Sequence, residues 1–126
     1  MLAWISARPP QQVAVSVVTV AELRHGAMST DEPRRSELLT WIETEIEPAF
    51  ATHTLPLTVD ILVEWMRLGR RLAERRMPRA TPDTLIAATA RIHDLIVVTR
   101  NIRDLAGTGV TVYNPWTQET QVMDRV

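Results

Sequence analysis

Cysteine is absent from this chain of 126 residues, which excludes a disulfide framework and any thiolate nucleophile or metal ligand. Lysine is absent too, so all 14 basic residues are arginines. No window approaches the roughly 18 consecutive apolar residues of a membrane span, so no membrane span is expected. The N-terminus has no charged start leading into an apolar core, so no secretion signal is read and a cytoplasmic protein is expected. Gly-rich phosphate loops, the GxSxG elbow and HExxH are all missing. His25, His53 and His93 are scattered without ligand spacing and read as structural or surface residues. A DNA-binding domain finds little support, because no helix-turn-helix pattern is evident and the net charge is only -1.

What is present describes one globular domain over 1–126. The composition is 45% hydrophobic, and a chain of this length can bury a core without much margin. Arg67, Arg70, Arg71, Arg75, Arg76 and Arg79 lie close together. Their planar forks suit phosphate oxygens, although base composition and a solvated helix face would give the same cluster.

Periodicity predicts alternating strands and helices. "MLAWISA" reads as a short amphipathic helix closed by Pro9 and Pro10, and "QQVAVSVV" (11–18) as a buried strand. "TVAELRHGAM" (19–28) predicts a helix ending near Gly26. Leu38, Leu39, Ile42 and Ile46 recur at helical spacing until Pro48, and "THTLPL" predicts a short strand. Ile61, Leu62, Trp65, Leu68 and Leu72 mark one face of a long helix ended by Pro78. "TPDTLIAATA" (81–90) opens a further helix, followed by strands "LIVVT" (95–99) and "VTVYN" (110–114). Such alternation implies an α/β fold with parallel pairing.

In such sheets ligands bind beyond the carboxyl ends of the strands. Glu22 follows the first strand, Asn101 follows "LIVVT" with Asp104 a turn later, and Asp83 opens a helix that is otherwise nearly all apolar. Three acids and an amide would give the oxygen ligands that Mg²⁺ or Mn²⁺ prefers. Each has a plainer explanation. Thr19 and Glu22 make a T-x-x-E capping box, Thr81-Pro82-Asp83 is a proline helix start with an acid complementing the dipole, and Asn101 can cap a turn. Spacing leaves both readings open.

"SVVTVAELRHGA" (16–27), "TPDTLIAATARIHDLIVVTRN" (81–101) and "VTVYNPW" (110–116) together resemble the PIN domains of VapC-type and FitB-like toxins. The resemblance implies a PIN-like α/β/α sandwich with a central, mostly parallel sheet. It also implies a metal-dependent endoribonuclease paired with a cognate antitoxin in a toxin–antitoxin system. Glu22 falls on the family's second acid, Asp83 on the third, and Asn101 where many members carry a fourth. Asp104 lies in a variable neighbourhood nearby. Thr99 matches a threonine often found beside the site, and Arg100 is read with it as contacting RNA.

Family members begin with a strand bearing an Asp-Thr-Asn-type motif, whereas "MLAWIS" matches the family's first helix. The expectation is therefore a missing N-terminal strand and first aspartate, through a late start codon, an excised fragment or degeneration. Weak metal binding and poor cleavage by this form follow. Glu22 and Asp83 are nonetheless expected to share one Mg²⁺ or Mn²⁺ ion. The alternative is a non-catalytic PIN-like module that binds an antitoxin or dimerises. Trp4, Trp41 and Trp65 are candidates for its apolar groove, although core packing explains each as well. Apolar surface on so small a domain leads us to expect a homodimer or an antitoxin complex.

Overall fold

The structure is a computed structural model that describes residues 13–124. The expected helix at "MLAWISA", Trp4, and the first two residues of "QQVAVSVV" lie outside the described residues. The contacts of the described residues divide them into two compact units, 13–56 and 57–124.

In the first unit, β1 (Val15–Ser16) pairs in parallel with β2 (Thr54–Leu55), with Val15 opposite Thr54 and Ser16 opposite Leu55. β2 falls where "THTLPL" predicts it. β1 is much shorter than the predicted strand, because Val17 and Val18 already belong to helix α1 (Val17–Met28). The cause is the Ser16 hydroxyl, which accepts a hydrogen bond from the Val18 amide at 3.1 Å and caps the helix. That cap outweighs the strand preference of β-branched valines. It also places Thr19 inside α1, so the predicted T-x-x-E capping box is not the start of this helix. Nor does Gly26 end it. The helix runs through to Met28, and the Ser29 hydroxyl donates to the His25 carbonyl at 2.9 Å.

Helix α2 (Arg34–Trp41) leads into a π-helical turn (Ile42–Ile46) and a last turn α3 (Glu47–Ala49). Pro48 was expected to stop the helix, yet it sits inside it. Proline has no amide to donate, and the turn before it has widened, with the Glu47 amide donating to the Ile42 carbonyl five residues back. Arg24 on α1 and Glu47 form a two-pronged ion pair, with Nε 3.0 Å from Oε2.

The second unit holds α4 (Val59–Glu74), α5 (Thr81–His93), β3 (Val97–Val98), a 3₁₀ turn (Ile102–Leu105), β4 (Thr111–Asn114) and β5 (Glu119–Val122). The Thr58 hydroxyl caps α4, accepting from the Ile61 amide at 3.3 Å. Ile61, Glu64, Leu68 and Leu72 are its buried stripe. Pro78 does not end this helix; Arg76 in the left-handed conformation (φ 54°) does, as the Met77 amide returns to the Leu72 carbonyl at 2.9 Å. α5 ends the same way. Asp94 is left-handed (φ 54°) and the Leu95 amide bonds the Ala90 carbonyl at 2.8 Å. With that amide committed to the helix end, "LIVVT" forms a strand only at Val97–Val98.

β3 and β4 run parallel, with Val98 opposite Tyr113, and β5 returns antiparallel along β4. The described strands therefore pair mostly in parallel, in two hydrogen-bonded groups, β1–β2 and β3–β4–β5. β5 went unpredicted because "ETQV" has no buried face: all four residues are exposed. Leu68, Leu72, Ala87, Ala90, Val97, Leu105, Val110, Val112 and Met123 form the core of this unit. Small residues on α5 (Thr84, Ala87, Ala88, Thr89, Ala90) are buried. Its buried hydroxyls bond locally, Thr89 to the Leu85 carbonyl at 2.8 Å and Thr84 to the Thr81 carbonyl at 3.0 Å. Gly107 (φ 84°) and Gly109 (φ 81°) take the positive-φ conformations that turn the chain around the fully buried Thr108. Among the described residues no helix is long and apolar enough to cross a membrane.

Candidate active site

Two parallel strands deliver their following loops to one edge. After β3 the Thr99 amide continues the ladder to the Tyr113 carbonyl at 2.9 Å, and the chain then turns. The Thr99 hydroxyl fixes that turn by accepting from the Asn101 amide at 3.1 Å. Asn101 is exposed and precedes the 3₁₀ turn, but its side chain makes no capping bond, contrary to the capping reading. The Asp104 amide donates to the Asn101 carbonyl at 3.2 Å and its side chain is exposed.

Asp83 lies in the first turn of α5, as expected, behind a proline start at which Ala80 offers no side-chain cap. Its carboxyl is half-buried and its pKa is raised from the ordinary value. Burial is the main cause, the nearby charge of Asp104 adds to it, and Arg79 opposes both. Asp83 and Asp104 therefore confront each other as like charges. Arg79 is held beside them by donating from Nε to the Ala106 carbonyl at 3.1 Å.

A raised pKa on an acid means the folded state holds the proton more tightly than the unfolded chain. Asp83 thus favours folding when protonated, and that contribution is lost as pH rises through its raised folded value. At neutral pH the ionised group opposes folding. Asp83→Asn is expected to raise the thermal midpoint of the metal-free protein at pH 7, with the difference closing below pH 4, near the ordinary value of 3.8. A thermal denaturation series from pH 3 to 8 in chelator checks this. A lower midpoint for the variant at pH 7 would show that the carboxylate supports the fold instead.

Glu22 belongs to the 13–56 unit, where it is exposed on α1. Among the described residues no three histidine or acidic side chains gather as a metal-holding group. His25 and His93 are exposed at helix ends, and His53 Nδ1 lies 2.9 Å from the Thr52 hydroxyl.

Of the arginine cluster, Arg67, Arg70, Arg75 and Arg76 are exposed, whereas Arg71 turns inward to Glu64 at 3.1 Å. The exposed Arg100 sits over the Trp116 ring, 5.5 Å from its centroid. Asn114 joins the two loops: Nδ2 donates to the Arg100 carbonyl at 3.3 Å, and Oδ1 accepts from the Trp116 amide at 2.9 Å. The sequence marks Arg79 only as one of the arginine cluster, and Asn114 and Trp116 only as part of "VTVYNPW", with no role for any of the three beside Asp83 or Arg100. The signal for the last pair was "NPW" after a strand, where asparagine before proline favours a side-chain-bonded turn.

The PIN domain family matches residues 2–108. The chain is 33% identical to VapC ribonuclease Y4jK of Sinorhizobium fredii over 117 residues, covering 92% of this chain and 84% of that one. It is 32% identical to toxin FitB of Neisseria gonorrhoeae over the same shares. The crystal structure of FitAcB from Neisseria gonorrhoeae superposes with a TM-score of 0.82 at 31% identity, covering 91% of this chain and 84% of that one. The protein belongs to the PIN-domain family, in its VapC/FitB toxin–antitoxin branch.

Proposed function

We propose that this protein is a divalent-metal-dependent endoribonuclease, the toxin of a toxin–antitoxin pair acting in the cytoplasm, within a single PIN domain over 1–126. The observation that carries the reading is a half-buried acid, Asp83, at the start of a buried helix, whose pKa is raised chiefly by burial and further by the charge of Asp104. A folded chain that crowds carboxylates at a sheet edge has a site that a dication would relieve.

The donor set suits a hard cation. Asp83 and Asp104 offer carboxylate oxygens and Asn101 an amide oxygen, to which the family resemblance adds Glu22; Mg²⁺ needs few protein ligands and keeps several waters. Bound there, Mg²⁺ or Mn²⁺ supplies a water of lowered pKa and neutralises charge on the phosphate. The chain's own residues do the rest. α5 holds the Asp83 carboxylate on a rigid element, the Thr99 hydroxyl fixes the turn that presents Asn101, and Arg100 attracts the RNA backbone. FitB is named a toxin, and its structural counterpart is a complex with FitA, which supports an antitoxin partner here. The exposed apolar side chains of Val59, Met66 and Ile96 give such a partner, or a second copy in a homodimer, surface to cover.

The test is cleavage of end-labelled single-stranded RNA in Mg²⁺ and Mn²⁺, with a chelator control. Cleavage that the chelator abolishes supports the reading. RNA that stays intact in both metals, with a stable antitoxin complex, would leave only the non-catalytic binding module.

A further inference from the structure

Trp116 is unusual among the large side chains of the second unit. Its ring is 49% exposed, yet it is not loose: one face lies against the Arg100 guanidinium, 5.5 Å away. A single buried amide holds both. Asn114 is only 7% exposed and spends its two ends on the Arg100 carbonyl and the Trp116 amide. Because β3 and β4 are parallel neighbours, the residues they release, Arg100 and Asn101 from one and Trp116 from the other, emerge at the same edge.

We propose that Trp116 and Arg100 form a stacking platform for one unpaired nucleobase of the RNA, beside Asn101 at the carboxyl edge of β3 and β4. The inference rests on the proposed ribonuclease function and names a substrate-recognition element within it.

Three features carry it. A half-exposed indole on a backbone turn that Asn114 fixes offers aromatic surface at a modest cost in lost freedom, which is what a stacking partner needs. The guanidinium over one ring face offers a second planar group for stacking and brings a positive charge for the flanking phosphate. Every base has a π-face, so the platform takes any base and favours the larger purines. It requires the base to be out of a helix, which restricts the substrate to single-stranded loops and ends.

The test is direct binding without cleavage. Fluorescein-labelled decamers are titrated with the full chain in chelator, one an oligoadenylate and the other a base-free ribose phosphate of the same charge. Trp116→Ala should weaken oligoadenylate binding by about 10-fold, Trp116→Phe by only about twofold, and neither should change binding of the base-free decamer. Arg100→Ala should weaken both probes, because its charge acts on phosphate.

Equal oligoadenylate binding by Trp116→Ala and the unaltered protein would overturn the platform. So would equal losses on both probes, since the ring would then only hold Arg100 in place. Intact RNA binding together with loss of a co-purifying protein partner would assign the surface to that partner and reject the proposal. Base-dependent binding by a protein that cuts no RNA in Mg²⁺ or Mn²⁺ would support the platform and overturn the nuclease reading alone.

Discussion

Asp83→Asn is expected to lower RNA cleavage in Mg²⁺ or Mn²⁺ by on the order of 100-fold or more while the protein stays folded. The substitution keeps the shape of the side chain and removes its charge. Asparagine is well tolerated near a helix start, so α5 should still form behind Pro82. What is lost is a carboxylate whose ionised state the fold itself opposes, through burial and through Asp104. Under the proposed function this carboxylate is kept for the cation it would hold, the usual trade between stability and activity. The comparison needs cleavage rates at matched metal, far-UV circular dichroism, and the metal-induced rise in thermal midpoint. Adding Mn²⁺ should raise the midpoint of the unaltered protein and leave that of Asp83→Asn where it was. Undiminished cleavage by the variant would reduce Asp83 to a helix-end residue.

The second large effect concerns stability. Glu64→Ala is expected to cost about 3 kcal/mol, because it leaves two half-buried guanidinium groups without their carboxylate. Glu64 is 8% exposed on α4, and its Oε1 lies 3.1 Å from an Arg71 terminal nitrogen and 2.9 Å from Arg91 Nε. The first contact is a hydrogen bond. The second is a charge pair alone, since the Arg91 Nε–H is not aimed at a partner. Arg91 also donates to the buried Thr108 carbonyl at 3.2 Å, so one carboxylate ties α4, α5 and the turn before β4 together. Against a total stability of roughly 5–15 kcal/mol for a domain, this loss would leave the protein near its unfolding limit. Glu64→Gln keeps the volume and one acceptor, and should fall between the parent and Glu64→Ala. Urea midpoints for the three proteins decide the matter. If Glu64→Ala loses under about 1 kcal/mol, the triad is no more than a surface-grade ion pair.

The triad also shows what a sequence conceals. Glu64 interrupts the apolar stripe of α4 and reads as a solvated acid, since its partners stand 7 and 27 residues along the chain. Only packing reveals that the arginines fold back over it. By contrast α5 was legible throughout, because Thr81-Pro82-Asp83 marks its start and its small apolar residues leave no polar face. The strands were legible in place and not in length. Ser16 and Leu95 each commit a polar group to a helix end, and those hydrogen bonds truncate β1 and β3. β5 carries no pattern because neither of its faces is buried. At the site, Asp83 and Asn101 could be singled out from their positions after proline and after a strand. The effect of Asp104 on Asp83 could not, because it depends on how the 3₁₀ turn after Asn101 folds.

Helix α5 is fastened at both ends. Its start carries the Trp65 indole donating to the Thr84 hydroxyl at 2.9 Å, and its close carries Arg91 and the left-handed Asp94. A helix held this way has no short route to fraying. In deuterated solvent the amides of Ala87, Ala88 and Ala90 should exchange only when the whole unit opens, whereas those of β5 should exchange through local openings. The consequence is one of timescale: over minutes to hours the carboxylate in the first turn of α5 would not wander, because the helix that carries it opens last.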